Sequence, residues 1–281
     1  MIYKELKQAP FSVLMAVYEQ DSPDHFLEAM QSILDQTVLP DEIVLVMDGP
    51  LPFPLRDRIR QWEDNLKEQF TLISLERNNG LGYALRIGLE ACHYDIVARM
   101  DADDICKRGR FEKQLAFLKM HPDVDTVGGW ISEFGASFYE EGRLRKVPEL
   151  LKDIRKRGIY RNPINHVTTM FRKSAVLRAG NYQPGFLGLE DYHLWVRMLN
   201  NGCKFYNFQE VLVMVRVGSG MHARRGGWAY FKNEFSFQKF LLEIGFINRG
   251  HLLFNLCARI IVRLFPNKLR GTFYKVALRN R

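Results

Sequence analysis

Asp101, Ala102, Asp103 and Asp104 put three carboxylates within four residues. Like charges held that close repel one another unless a cation shares them. A hard divalent ion, Mg²⁺ or Mn²⁺, takes one or two carboxylates and fills its other positions with water and phosphate oxygens, so it is the natural partner. An isolated D-x-D is also what a solvated turn or a helix cap looks like, with Asp104 as the cap. Other residues able to do chemistry are Asp48 in Asp48-Gly49-Pro50, the acids Glu190-Asp191, His166 in Asn162-Pro163-Ile164-Asn165-His166, and the cluster Arg216, Ser219, His222, Arg224, Arg225. Each has a bland alternative: a turn for Asp48-Gly49-Pro50, a helix cap for Asp191, a structural histidine for His166.

The elements around these residues narrow the choice. Apolar, β-branched runs at 12–18, 42–47, 71–75 and 95–100 alternate with helical stretches at 22–36, 55–68, 81–92 and 109–121, which predicts repeated βαβ units on a mostly parallel sheet flanked by helices. Such sheets bind ligands at the carboxyl ends of their strands. Tyr18-Glu19-Gln20-Asp21, Asp48-Gly49-Pro50 and Asp101-Ala102-Asp103-Asp104 all fall at such ends. A strand at 125–133 follows, then a basic loop and helix over 142–161, an apolar run at 168–171, a helix at 191–201, and strands near 204–208 and 211–217.

The apolar fraction of 47% suits a folded chain. Cys92, Cys106, Cys203 and Cys257 form no C-x-x-C pair, so neither a disulfide framework nor a thiolate zinc site is indicated. No export signal or membrane span is expected, and the cytoplasm is the expected compartment. All of the net charge of +8 sits at one end, because residues 246–281 hold eight cations and no acid. A neutral body with one basic appendix does not suit a nucleic-acid enzyme. His251, Asn255, Arg259 and Arg263 recur every four residues opposite Leu252, Leu253, Leu256, Ile260 and Leu264, which predicts an amphipathic helix able to lie on an anionic membrane surface or to pack on the protein.

Taken together, the motifs over residues 11–220 resemble those of the family-two glycosyltransferases with the GT-A (Rossmann-like) fold, particularly bacterial enzymes of capsule, O-antigen and exopolysaccharide synthesis. Residues 12–18 are similar to that family's opening strand, and Ser32-Ile33-Leu34-Asp35-Gln36-Thr37 to its S-x-L-x-Q-T helix end. Asn79-Gly80-Leu81-Gly82-Tyr83-Ala84 with Gly88 resembles the segment beside the nucleotide, and Glu190-Asp191-Tyr192-His193-Leu194-Trp195 its E-D-x-x-L-W motif. One departure is plain: the family often has Asp-Asp-Gly-Ser where this chain has Met47-Asp48-Gly49-Pro50.

The resemblance implies a GT-A domain over residues 1–245, with a nucleotide-binding half to about residue 133 and an acceptor-side half after it, then a basic helical tail over 246–281. It implies an inverting, Mn²⁺- or Mg²⁺-dependent transfer of a hexose from UDP-galactose or UDP-glucose to a sugar on a polyprenyl diphosphate, at the inner face of the cell membrane. Nucleotide contacts fall to Ala16, Tyr18, Glu19, Asp48, Asn79, Gly80, Asp101 and Ala102, and metal ligation to Asp103, Asp101 and His222. The donor diphosphate falls to Arg216, Arg224 and Arg225, the catalytic base to Asp191, and the acceptor to Glu190 and His166. Gly218, Gly220, Gly226 and Gly227 would hinge the loop carrying His222. Two other readings of the carboxylates are a haloacid-dehalogenase-like phosphatase, with a phospho-aspartate at Asp101, and a non-catalytic carbohydrate-binding protein.

Overall fold

The computed structural model describes residues 9–135, 142–217 and 228–264; His222, Arg224, Arg225 and the last seventeen residues lie outside these. The described residues divide into two compact units after Val217.

The first unit is built on one sheet. Strands β1 (Phe11–Val17), β2 (Glu42–Met47), β3 (Phe70–Ser74) and β4 (Ile96–Arg99) are joined by helices α1 (Pro23–Leu34), α2 (Phe53–Leu66) and α3 (Leu81–Ala91). They pair in parallel in the order β3-β2-β1-β4. The apolar runs of β1, β2 and β4 are buried throughout or nearly so, as parallel strands covered on both faces require. Ser22 accepts from the His25 amide and Pro23 opens α1, the usual helix start. Helix α3 lies directly on the sheet: a Cβ at Gly88 would stand 2.5 Å from Leu14 Cδ1 and 2.7 Å from Val46 Cγ2.

Because β2 and β3 lie on one side of β1 and β4 on the other, the strand order reverses between β1 and β4. A crevice opens at the carboxyl ends of strands at such a reversal. The Met100 N–H donates to Leu14 O at 3.1 Å, so the Asp101 segment leaves the sheet beside the end of β1.

Beyond β4 the sheet is mixed. Strand β5 (Ile105–Cys106), helix α4 (Arg110–Met120), β6 (Thr126–Phe134), β7 (Arg143–Arg145), helix α5 (Leu151–Gly158), β8 (Met170–Arg172), helices α6 (Lys173–Arg178) and α7 (Glu190–Asn200), and β9 (Phe205–Arg216) follow in the chain. The sheet continues β4-β8-β6-β9-β5, with β7 on β6. The two strands expected at 204–208 and 211–217 are a single strand, β9. Its pairing jumps from Gly129↔Phe208 to Trp130↔Val211, so Gln209 and Glu210 bulge out and interrupt the apolar pattern.

The second unit contains α8 (Trp228–Glu243) and α9 (Arg249–Leu264), turning at Gly245 with φ of +70°. The amphipathic helix of the sequence reading is α9. Its Asn255 is buried and donates to Gln238 Oε1 on α8 at 2.8 Å, and Leu253 and Phe254 are exposed. Among the described residues no helix is long and apolar enough to cross a membrane.

Candidate active site

Asp101, Asp103 and Asp104 each offer a carboxylate oxygen, and the three oxygens lie within 4.8 Å of one another. Asp104 is buried; its Oδ1 accepts the Arg216 N–H at 2.9 Å, while its Oδ2 is buried without a hydrogen-bond partner. Burial first, and then Asp101, push the Asp103 carboxyl up to about 6. Burial, Asp101 and Asp103 hold that of Asp104 well above the ordinary carboxylate range. These groups are costly to ionise alone, and the orphaned oxygen points to a missing partner, so the cluster fits a hard divalent cation.

Two layers position that cluster. The pairing of Ile105 with Met214 brings the carboxylate loop to β9, where Arg216 Nε donates to Asp103 O at 3.2 Å. The S-x-L-x-Q-T resemblance acquires a physical role here. Ser32 Oγ accepts the Cys106 N–H at 3.0 Å, and Gln36 Nε2 donates to Lys107 O at 3.0 Å. From below, buried Arg110 donates through Nη2 to Arg99 O at 2.9 Å and Thr169 O at 3.2 Å. Arg216, assigned to the donor diphosphate, pairs with Glu28 and lies 4.8 Å from the Phe134 ring centroid.

On the nucleotide side, Ala16 pairs with Val46 inside the sheet, and the Tyr18 N–H donates to Asp21 Oδ2 at 2.9 Å. Buried Asp48 accepts the Asn79 N–H at 2.8 Å on one oxygen and the Gly80 N–H at 2.9 Å on the other. Its carboxylate therefore ties β2 to the start of α3. The approach is so close that a Cβ at Gly49, where φ is +94°, would stand 2.6 Å from Asn78 N, which is why Asp48 is followed by glycine. Glu19 is exposed and Ala102 buried.

On the acceptor side, Glu190 and Asp191 open α7. Asp191 accepts from Asn162 Nδ2 and, at 2.7 Å, from the Tyr192 N–H. Burial raises its pKa, and these hydrogen bonds with Arg145 and Arg99 pull it part of the way back. Glu190 accepts the Gly188 N–H at 2.9 Å, and burial raises its pKa too. A Cβ at Gly82 would stand 2.8 Å from Glu190 Cγ, so α3 and α7 meet through that glycine. His166 shares a 2.8 Å hydrogen bond with the Tyr182 hydroxyl, and its ring lies edge-on to Trp195. Burial, then Arg99, hold its pKa well below 6.5, and the imidazole is neutral.

Arg99 joins the two sides, and the sequence reading treated it only as a strand residue. It is 2% exposed, ion-paired with Asp101, and its Nε and Nη1 are buried without partners. Its charge acts on Asp101, Asp104, Tyr182, His166 and Asp191 alike. One cation ending an apolar strand just before three acids was the available signal. Asn162 and Tyr182 carried none, since their importance lies in partners distant in sequence.

Comparison with known proteins agrees with this geometry. Residues 12–179 match the family described as Glycosyl transferase family 2. Over 268 residues the chain is 40% identical to the amylovoran biosynthesis glycosyltransferase AmsE of Erwinia amylovora, covering 94% of this chain and 98% of that one. Over 270 residues it is 40% identical to the UDP-Gal:alpha-D-GlcNAc-diphosphoundecaprenol beta-1,3-galactosyltransferase of Escherichia coli, covering 96% of each. The crystal structure of S. aureus TarS 1-349 in complex with UDP-GlcNAc superposes with a TM-score of 0.64 at 19% identity, covering 96% of this chain and 77% of that one. That likeness bears on the fold alone, and the fold is the expected GT-A arrangement. The matched stretch runs from β1 through α6, including the loop that gathers the carboxylates, and the chain belongs to glycosyl transferase family 2.

Proposed function

We propose that the enzyme transfers a hexose, from UDP-galactose or UDP-glucose, to a sugar carried on a polyprenyl diphosphate, with inversion at the anomeric carbon, in bacterial surface polysaccharide synthesis. The observation that carries this reading is the pairing of a carboxylate cluster at the strand-order reversal with a separate carboxylate, Asp191, held in the first turn of α7. The Escherichia coli relative, named for a UDP-Gal donor and a diphosphoundecaprenol-linked acceptor, supports the substrate classes.

The nucleotide is assigned to the crevice between β1 and β4, bordered by Ala16, Tyr18, Glu19, the Asp48-braced turn at Asn79 and Gly80, and Asp101 with Ala102. Asp103 and Asp101, with His222, are the assigned holders of Mn²⁺ or Mg²⁺, and Asp104 lies against them. When bound, that ion neutralises charge developing on the departing diphosphate. Arg216, Arg224 and Arg225 are assigned to the same diphosphate. Asp191 accepts the proton of the acceptor hydroxyl as the hydroxyl oxygen bonds to the sugar C1 and the bond from C1 to the diphosphate oxygen breaks. Its raised pKa makes it a stronger base than an exposed aspartate, and Asn162 fixes its direction. Glu190 and neutral His166 are assigned to acceptor hydroxyls. The tail cations and the exposed Leu253 and Phe254 support peripheral attachment at the inner face of the membrane, where such an acceptor resides.

The test is a screen of UDP-sugars with Mn²⁺, with and without chelator, using a GlcNAc-α-diphosphoryl lipid as acceptor and NMR of the product anomer. A β-linked hexose formed only with the divalent ion is expected. Transfer that ignores chelator, or an α-linked product, contradicts the mechanism.

A further inference from the structure

Arg99 ends an apolar strand, behind Ile96, Val97 and Ala98, and is buried as they are. The register shows which way its side chain goes. Arg99 lies opposite Leu14 on β1, and Val97, two residues earlier and so on the same face, lies opposite Phe171 on β8. Leu14 packs against α3 at Gly88, and the Phe171 ring centroid lies 6.3 Å from that of Trp195 on α7. Arg99 therefore points into the layer between the sheet and helices α3 and α7.

Its backbone is fixed on both sides. The Arg99 N–H donates to Thr169 O at 2.9 Å, and Arg99 O accepts from Arg110 Nη2 at 2.9 Å. At the far end of the side chain Nη2 pairs with Asp101 Oδ1, while Nε and Nη1 are buried without hydrogen-bond partners. A buried guanidinium left short of partners destabilises a fold, and an apolar side chain would suit this strand position better. Stability does not explain the charge.

Its place beside the carboxylates does. Asp101 is partly exposed and contributes one of the three acid oxygens that lie within 4.8 Å of one another. Arg99 has no route to solvent, so one Asp101 oxygen is committed to it. A cation already paired with one carboxylate weakens the pull of the whole cluster on a second cation. A nucleoside diphosphate restores that pull, because its phosphate oxygens supply both negative charge and ligands for a hard divalent ion.

We propose that Arg99 is a positioning residue of the donor site, which through its ion pair with Asp101 makes the binding of Mn²⁺ or Mg²⁺ at Asp101 and Asp103 depend on the nucleotide. The assignment rests on the metal and nucleotide roles proposed above for that cluster.

Mn²⁺ binding to the full chain tests it, read by electron paramagnetic resonance of the free ion, with and without UDP and corrected for the Mn²⁺–UDP complex in solution. The wild type should bind Mn²⁺ weakly alone and at least about tenfold more tightly with UDP, the scale of a single close charge pair. Arg99→Met should bind Mn²⁺ alone at least about tenfold more tightly than the wild type and lose most of the gain from UDP. Arg99→Lys, which keeps the charge, should stay near the wild type. A substitution that merely loosened the fold would weaken Mn²⁺ binding, not strengthen it. Thermal unfolding checks each variant, and Arg99→Gln carries the test if Arg99→Met is not folded. Unchanged or lower affinity of the uncharged variant for Mn²⁺ alone, or an undiminished gain from UDP, overturns the role of Arg99. Wild-type binding of Mn²⁺ that is equally tight with and without UDP refutes that role alone, whereas no Mn²⁺ binding under either condition refutes the metal site and the role with it.

Discussion

Asp191 and two members of the aspartate cluster, Asp103 and Asp104, are raised in pKa by burial, and the consequences differ. Asp191 has to be ionised to accept a proton, so activity on the acid side should fall at a higher pH than an ordinary aspartate would give. Asn162 favours the ionised form; Asn162→Ala should move that limb further up in pH, and a limb that stays or moves down contradicts the role given to Asp191. At the cluster, Asp103 sits at about 6 and Asp104 above the ordinary range. The cation-free native state therefore holds protons that the unfolded chain has released, and its stability falls as pH rises through that window. A bound cation keeps the carboxylates ionised and removes the penalty. The gain in Tm on adding Mn²⁺ should accordingly grow between about pH 5 and about pH 7, measured by thermal unfolding with EDTA as the reference. At this scale the sequence exposed the acids, which cluster along the chain. It hid Arg99, Asn162 and Tyr182, which matter only through partners brought together by folding.

The elements of the first half were legible because buried parallel strands read as unbroken apolar runs: β2 falls on its expected residues and β1, β3 and β4 within a residue or so. Two-residue β5 and six-residue α6 were too short for any period to register. The bulge at Gln209 and Glu210 made β9 look like two strands, and α8, with aromatic and polar residues mixed all round, gave no stripe to follow. The N-G-x-G segment was recognised by its glycines, whose reasons are geometric. Gly82 admits Glu190, and Gly88 admits the sheet. Gly88→Ala should force α3 off Leu14 and Val46 and cost about 1–3 kcal/mol, as overpacked core positions do. Denaturant unfolding measures it, and a neutral substitution would mean that α3 is not held that closely.

For the molecule as a whole, the separation of charge carries the remaining prediction. A body with balanced charge and a tail of eight cations without an acid suits attachment to an anionic surface. Replacing Lys268, Arg270, Lys275, Arg279 and Arg281 by Gln should weaken binding to phosphatidylglycerol vesicles by about 1 kcal/mol per charge at low salt. Transfer to a short-chain soluble acceptor should change little. Vesicle flotation reads the first effect, and undiminished flotation would remove the tail as anchor. The sequence could mark this segment only by composition and period; which face of α9 packs on α8 needed the structure, which buries Asn255 and exposes Leu253. The most direct measurement is the steady-state rate of Asp191→Asn against wild type, with Mn²⁺, a saturating UDP-sugar and the GlcNAc-diphosphoryl acceptor. A general base removed from a site that still binds its donor lowers kcat by about 10²–10⁴ with the donor KM nearly unchanged. A kcat within a few-fold of wild type would contradict Asp191 as the base, and with it the proposed chemistry of the site.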